Sequence, residues 1–84
     1  MKESLLPVRI KATLADQSGS MPELMTILSQ QGAKVSNLTT QRRSEGWMEL
    51  VIDIEVRDKE HLDTILQALR SSEKIASVAR VKAG

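Results

Sequence analysis

The 84-residue chain has no cysteine, no tyrosine and no phenylalanine, and it carries a single tryptophan and a single histidine. Without cysteine there is no disulfide, no thiolate metal site and no thiol nucleophile, a usage that fits a reducing cytoplasm. With Trp47 as the sole aromatic side chain, a sheet surface cannot offer the row of rings on which RNA-binding sheets stack bases. No apolar run approaches the roughly 18 residues of a membrane span. The N-terminal MKESLLPVRI lacks the long apolar segment of a signal peptide. A formal net charge of +1 provides no excess of one sign to draw nucleic acid or an anionic membrane. These absences point to a cytoplasmic domain with neither nucleic-acid nor membrane partners and no cofactor.

What is present is an alternation of short periodic segments. Hydrophobic residues make up 40% and charged residues 27%, which places the chain in the globular range. At 84 residues it reads as one domain, marginal on its own and stabilised by pairing. After a lead-in of residues 1–6, with Pro7 at a strand edge, Val8, Ile10, Ala12 and Leu14 alternate with Arg9, Lys11 and Thr13, the period of a half-buried strand. DQSGSMPEL follows, a glycine-bearing loop running into a helix start. Ser20 has the chemistry of an N-cap with Glu23 as its capping-box partner. Pro22 suits a first turn. Leu24, Ile27 and Leu28 form the apolar stripe of a three-turn helix that Gly32 stops.

Lys34 to Arg42 reads as a second, more polar strand. Ser44, Glu45 and Gly46 form a turn, and Trp47 to Val56 alternate throughout. Asp58 is placed to cap a second helix in which Leu62, Ile65, Leu66 and Leu69 recur at helical spacing. Ile75 to Val81 closes the domain. The order β-α-β-β-α-β predicts an α+β, ferredoxin-like sandwich: a four-stranded antiparallel sheet with both helices on one face. On the other face Arg9 and Lys11 would lie across from Glu49, Asp53 and Glu55.

No catalytic constellation emerges. His61, beside Glu60 and Asp63, reads as a surface or boundary residue in a first helical turn. Asp53 and Glu55 read as part of a solvated charge lattice, and Arg42 and Arg43 as solvated hairpin cations, with contact to an acidic partner or a phosphate as their other reading. Trp47 has two readings, a hairpin-end side chain lying over its neighbours or an apolar contact for a second subunit or domain. The loop also has two. Gly19 lets a ligand approach the backbone, and the amides of Ser20, Met21 and Glu23 open a helix whose dipole favours an anion; an ordinary strand-to-helix turn is the other.

Taken together, a strand, D-x-x-G, a helix, G-A-x-V-x-N-L and a hairpin strand resemble the ACT domain. The stretch TQRRSEGWMELVIDIEVRDKEHLDTILQALRSSEKIASVARV resembles the C-terminal ACT domain of RelA/SpoT-type (p)ppGpp synthetase/hydrolase enzymes, with IDIEV, Asp58-x-x-His61-Leu62, Leu69-Arg70 and Val78-x-Arg80-Val81 as the specific pieces. The likeness runs from about Val8 to Val81, within a single domain spanning 1–84. It implies a regulatory module, not a catalyst, excised from a larger GTP pyrophosphokinase whose catalytic domains lie N-terminal to it, with Met1 added for expression.

ACT domains usually work in pairs and hold small amino acids at the paired interface. Carried over, this implies a homodimer with a ligand site at Asp16, Gln17, Ser18, Gly19, Ser20 and Met21, facing Lys34, Val35 and Asn37. The implied ligand is a small, branched-chain amino acid. The implied partners are the parent's catalytic domains and the ribosome, and the implied setting is the stringent response. Lys34 stands where many amino-acid-binding members carry asparagine, and Ser18 and Ser20 flank the glycine where proline and an apolar residue are common. The competing reading is a ligand-free module that docks onto protein or ribosome.

Overall fold

The computed structural model describes residues 4–81. Its elements are β1 (Leu6–Ala15), α1 (Ser20–Gln30), β2 (Lys34–Ser44), β3 (Trp47–Val56), α2 (Lys59–Arg70) and β4 (Ile75–Val81). The strands form one sheet in the order β2-β3-β1-β4 with every neighbouring pair antiparallel. This is the ferredoxin-like arrangement expected from the sequence. The first three residues of the expected lead-in lie outside the described residues. Strand β1 begins at Leu6, so Pro7 sits inside the strand opposite Glu55. Strand β2 runs on to Ser44, two residues past its expected end.

The alternation works as read. Val8, Ile10, Ala12 and Leu14 of β1 and Met48, Leu50, Ile52, Ile54 and Val56 of β3 are buried under the helices. Leu24 and Leu28 of α1, and Leu62, Ile65, Leu66 and Leu69 of α2, close the core from above. Each such side chain contributes about 1.5–3 kcal/mol through burial, so truncating Leu50 or Ile65 removes a large share of the stability of a domain this size.

The helix ends explain the connections. Asp58 is extended and accepts from the His61 amide at 2.8 Å, as its capping role requires. Gly32, at φ 75°, donates to Ser29 while Ala33 donates to Leu28, the pair of bonds that closes a helix through a left-handed residue. Between β2 and β3 only Gly46 of the turn has positive φ, 85°, the sign pattern of a type II turn.

Ser20 departs from expectation. The N-cap is Gly19, without a side-chain capping bond, and Ser20 is the first helical residue. Its side chain is fully buried and its Oγ has no hydrogen-bond partner. The reason is helical phase: Ser20 stands four residues before Leu24 and eight before Leu28, on the stripe that faces the sheet. Glu23 turns instead toward the α2–β4 connection, where its carboxylate accepts from the Ser72 hydroxyl and lies 3.8 Å from Lys74 Nζ.

Candidate functional site

At one end of the sheet β1 hands over to α1 through Asp16–Gly19, and two other connections close around that loop. From the β2–β3 side, the Asp16 amide donates to the Gly46 carbonyl at 2.9 Å, and Arg43 Nε lies 3.7 Å from Asp16 Oδ2. From the other side, the Ala15 amide donates to the Lys74 carbonyl at 2.9 Å. Lys74 then folds its side chain over Gly19, so that a Cβ at position 19 would stand 2.9 Å from Lys74 Nζ. A cation over a helix N-terminus opposes the dipole, and the Glu23 carboxylate holds it there.

The loop has its own donors. The Ser20 amide bonds to Gln17 and the Glu23 amide to Gly19. The amides of Ser18, Gly19 and Met21 have no backbone acceptor among the described residues. Asp16, Gln17 and Ser18 are exposed, while Gly19 and Met21 are half-buried. Five of the six residues expected here therefore border open space, and Ser20 alone is enclosed.

The second half of the expected site lies elsewhere. Ala15 pairs with Trp47, whereas Lys34 pairs with Glu55. Those positions are separated by the length of β3, about 26 Å at roughly 3.3 Å per residue. Within one chain Lys34, Val35 and Asn37 do not meet the loop. They also divide between faces: Val35 packs on the core, while Lys34 sits on the open face, 3.9 Å from Glu55. Asn37 is on the open face too, opposite Asp53 across the sheet.

That open face carries the charge lattice read from the sequence. Arg9 meets Asp53 side-on, with Nε 2.7 Å from Oδ1 and Nη2 3.3 Å from Oδ2. Lys11 lies 3.4 Å from Glu49. The Arg9 hydrogen bond, with its charge and a smaller contribution from Asn37, holds the Asp53 carboxyl below the usual range. The Asp53 hydrogen bond raises Arg9 in turn. A shallow depression of about 390 Å³ spans the face, bordered by Arg9, Lys11, Asn37, Thr39, Val51 and Asp53. Trp47, 46% exposed, stands at its end between Ala15 and Ser44.

His61 is not a surface residue. It is 6% exposed, and both ring nitrogens are engaged by backbone groups, so its role is structural. Among the described residues no three His, Asp or Glu side chains gather as a metal site requires, and no helix is long and apolar enough to cross a membrane. Arg43 and Lys74 are the loop neighbours that the sequence reading missed as site residues. Their positions depend on tertiary closure, and the one local signal was Arg43 beside a glycine turn.

A βαββαβ sandwich with an open β2 edge and a glycine loop at the head of α1 defines the class of small ferredoxin-like domains. A family model described as ACT domain matches residues 2–80, and the chain belongs to the ACT domain family. The GTP pyrophosphokinase rsh of Brucella abortus is 33% identical over 75 residues, covering 89% of this chain and 10% of that protein. The enzyme of the same name from Brucella ovis gives the same figures. The chain thus spans about a tenth of the length of these relatives; it is a regulatory domain and not their catalytic part.

Two solved structures share the fold. The ACT domain from the GTP pyrophosphokinase of Chlorobium tepidum superposes with a TM-score of 0.79 at 17% identity, covering 93% of this chain and all of that one. The acetolactate synthase small subunit of Thermotoga maritima gives 0.81 at 15% identity, covering 92% of this chain and 48% of that one.

Proposed function

We propose that the chain is the amino-acid-sensing and dimerisation module of a cytoplasmic (p)ppGpp synthetase/hydrolase, biasing its parent's catalytic domains in the stringent response. One observation carries the reading: the two halves of the site lie at opposite ends of one chain but on elements that a second copy can join. Strand β2 is an edge strand of 11 residues with no proline, and its outer hydrogen-bonding groups are open to another strand. Antiparallel pairing of two β2 edges about a two-fold axis sets the second copy's Lys34–Asn37 beside the first copy's β2–β3 hairpin, the end at which Asp16–Met21 lie. The unclaimed amides of Ser18, Gly19 and Met21 then supply donors to a ligand carboxylate. A ligand held between copies binds the pair better than the separate chains, and that difference is what lets occupancy shift an equilibrium.

The test is sedimentation equilibrium together with amide NMR, with and without a mixture of the common amino acids. Addition is expected to strengthen self-association and to move the signals of Ser18, Gly19 and Met21. If neither changes, the sensing role is lost. A ligand-free docking module, addressed to the parent's other domains or the ribosome, is the second reading. Trp47 supports it, because its indole lies 46% exposed among charges on the open face.

A further inference from the structure

We propose that the chain carries a separate ligand site at the end of the sheet opposite the Asp16–Met21 loop. It is a small cavity that takes the tail of a short aliphatic monocarboxylate while Arg80 and Lys59 hold the carboxylate. The site does not depend on the sensing role proposed above. The cavity, of about 200 Å³, is bordered by Leu6, Val8, Val56 and Leu62, with Lys59 and Arg80 at its mouth. Leu6 pairs with Val56 and Ala15 with Trp47, so most of the length of β1, about 30 Å at roughly 3.3 Å per residue, separates it from the loop. Strand β2 is not among its borders, and pairing through that edge leaves it open.

The cavity exists because the apolar stripe of β1 outruns its cover. Leu6 stands two residues before Val8, on the face that bears the helices, yet it is 48% exposed where Val8 is 7%. Helix α2 begins only at Lys59, and Leu62 is its first buried apolar residue, so the cover it gives stops short of Leu6. On β4 the buried stripe breaks off at the same end. Val78, opposite Ala12, is buried, while Arg80, opposite Ile10 on the same face, is exposed. An arginine there lays its stem on apolar surface and keeps the guanidinium in water.

Floor and mouth select one kind of ligand. The floor is aliphatic and offers no hydrogen bond, so the inserted group is apolar. A volume of about 200 Å³ is below the roughly 300–1,000 Å³ of drug-sized sites, which limits that group to a chain of a few carbons. The mouth is cationic. Asp58, the carboxylate there, already accepts from the His61 amide at 2.8 Å. Lys59 and Arg80 are exposed and enter no ion pair among the described residues. A guanidinium meets a planar carboxylate through two parallel hydrogen bonds, which favours a carboxylate over a rounder anion. An ammonium on the ligand would face Lys59 and Arg80, so an α-amino acid fits less well.

The experiment is an amide NMR titration of the chain at fixed ionic strength with butyrate, pentanoate, hexanoate, 4-methylpentanoate, L-leucine, 1-hexanol and hexylamine. The acids are expected to move the signals of Leu6, Val8, Leu62 and Arg80 and to leave Ser18, Gly19 and Met21 in place. Affinity is expected to rise roughly fourfold for each added methylene. 4-Methylpentanoate, which is leucine without its ammonium, is expected to act at roughly tenfold lower concentration than leucine, the value of one charge-assisted contact. Arg80→Gln is expected to weaken hexanoate by a similar factor and to leave hexanol unchanged. Leu6→Gln, at a half-exposed position that the fold does not depend on, is expected to abolish the gain with chain length. Hexanol or hexylamine matching hexanoate, or full affinity in Arg80→Gln, overturns the carboxylate. Leucine matching 4-methylpentanoate overturns the exclusion of amino acids. Cavity signals that move with none of the acids overturn the site itself and leave the loop's sensing role standing.

Discussion

His61 Nε2 stands 2.6 Å from the carbonyl oxygen of Gln31, so the first turn of α2 is tied to the residue that closes α1. The other ring nitrogen, Nδ1, accepts from the Arg57 amide at 3.0 Å. A donor at Nε2 and an acceptor at Nδ1 together define the neutral tautomer protonated on Nε2. Replacing the ring by leucine leaves the part-buried Gln31 carbonyl and Arg57 amide without these partners. His61→Leu is expected to lower stability by about 3 kcal/mol, at roughly 1–3 for each group left unpaired. His61→Gln, which can both donate and accept, should lose less. Urea denaturation measures both, and a loss within error for His61→Leu would show that the two contacts carry no weight.

The Ser20 hydroxyl leads to an expectation of opposite sign. A capping serine replaced by alanine costs about 1 kcal/mol. Here the hydroxyl is buried and unpartnered, so its removal relieves a desolvation cost and puts a better helix former in the first turn. Ser20→Ala is expected to be neutral or stabilising, by up to about 1 kcal/mol. Asp58→Ala, which removes a working cap, is expected to cost about 1 kcal/mol. Thermal or chemical denaturation of the two variants side by side distinguishes the roles, and a destabilised Ser20→Ala would restore the serine as a cap.

The contrast between these two residues shows what was legible in the sequence. Alternation over Val8–Leu14 and Trp47–Val56, and the 3–4 spacing of Leu62, Ile65, Leu66 and Leu69, are local patterns, so the strands, α2 and the sandwich followed from them. Ser20 satisfied a local pattern too, S-x-x-E, but its phase with Leu24 and Leu28 was the stronger constraint. The candidate loop was visible because its glycine and helix start are contiguous. Arg43 and Lys74 were not, since each reaches the loop from a separate connection. The expected partnership with Lys34–Asn37 could not be judged before the strand order put those residues at the opposite end of the sheet.

Asp53 supplies a pH dependence whose sign follows from its partner. The Arg9 hydrogen bond holds the folded-state carboxyl below the ordinary value of 3.8. The native chain therefore binds fewer protons there than the unfolded chain as pH falls. The stabilisation is fully present above the ordinary carboxylate range and is lost as pH drops through the lower folded value. Because the pair is exposed, added salt weakens it. Asp53→Asn is expected to remove this modest stabilisation at neutral pH and so to flatten the acid limb of the stability curve below about pH 4. An acid limb of unchanged slope, followed by circular dichroism during acid titration at low and high salt, would mean the pair does not contribute.

Trp47 separates the two readings of function. In its row across the sheet the neighbours are Ala15 and Ser44, too small to cover an indole, which explains why it stays 46% exposed. Removing a half-exposed ring costs the isolated domain about 1 kcal/mol through lost burial. Pairing through β2 edges uses backbone groups in the plane of the sheet, and the ring stands on the open face, off that edge. In a sensing dimer, Trp47→Ala should therefore leave both the amino-acid response of the loop amides and the self-association constant nearly unchanged. Where the ring anchors a docked partner, a central exposed tryptophan is the residue whose truncation costs most, about 2 kcal/mol or more, and association falls more than tenfold. Sedimentation equilibrium of the variant, together with amide NMR during amino-acid addition, measures both quantities. A collapse of association with an unresponsive loop would assign the chain to docking instead of sensing.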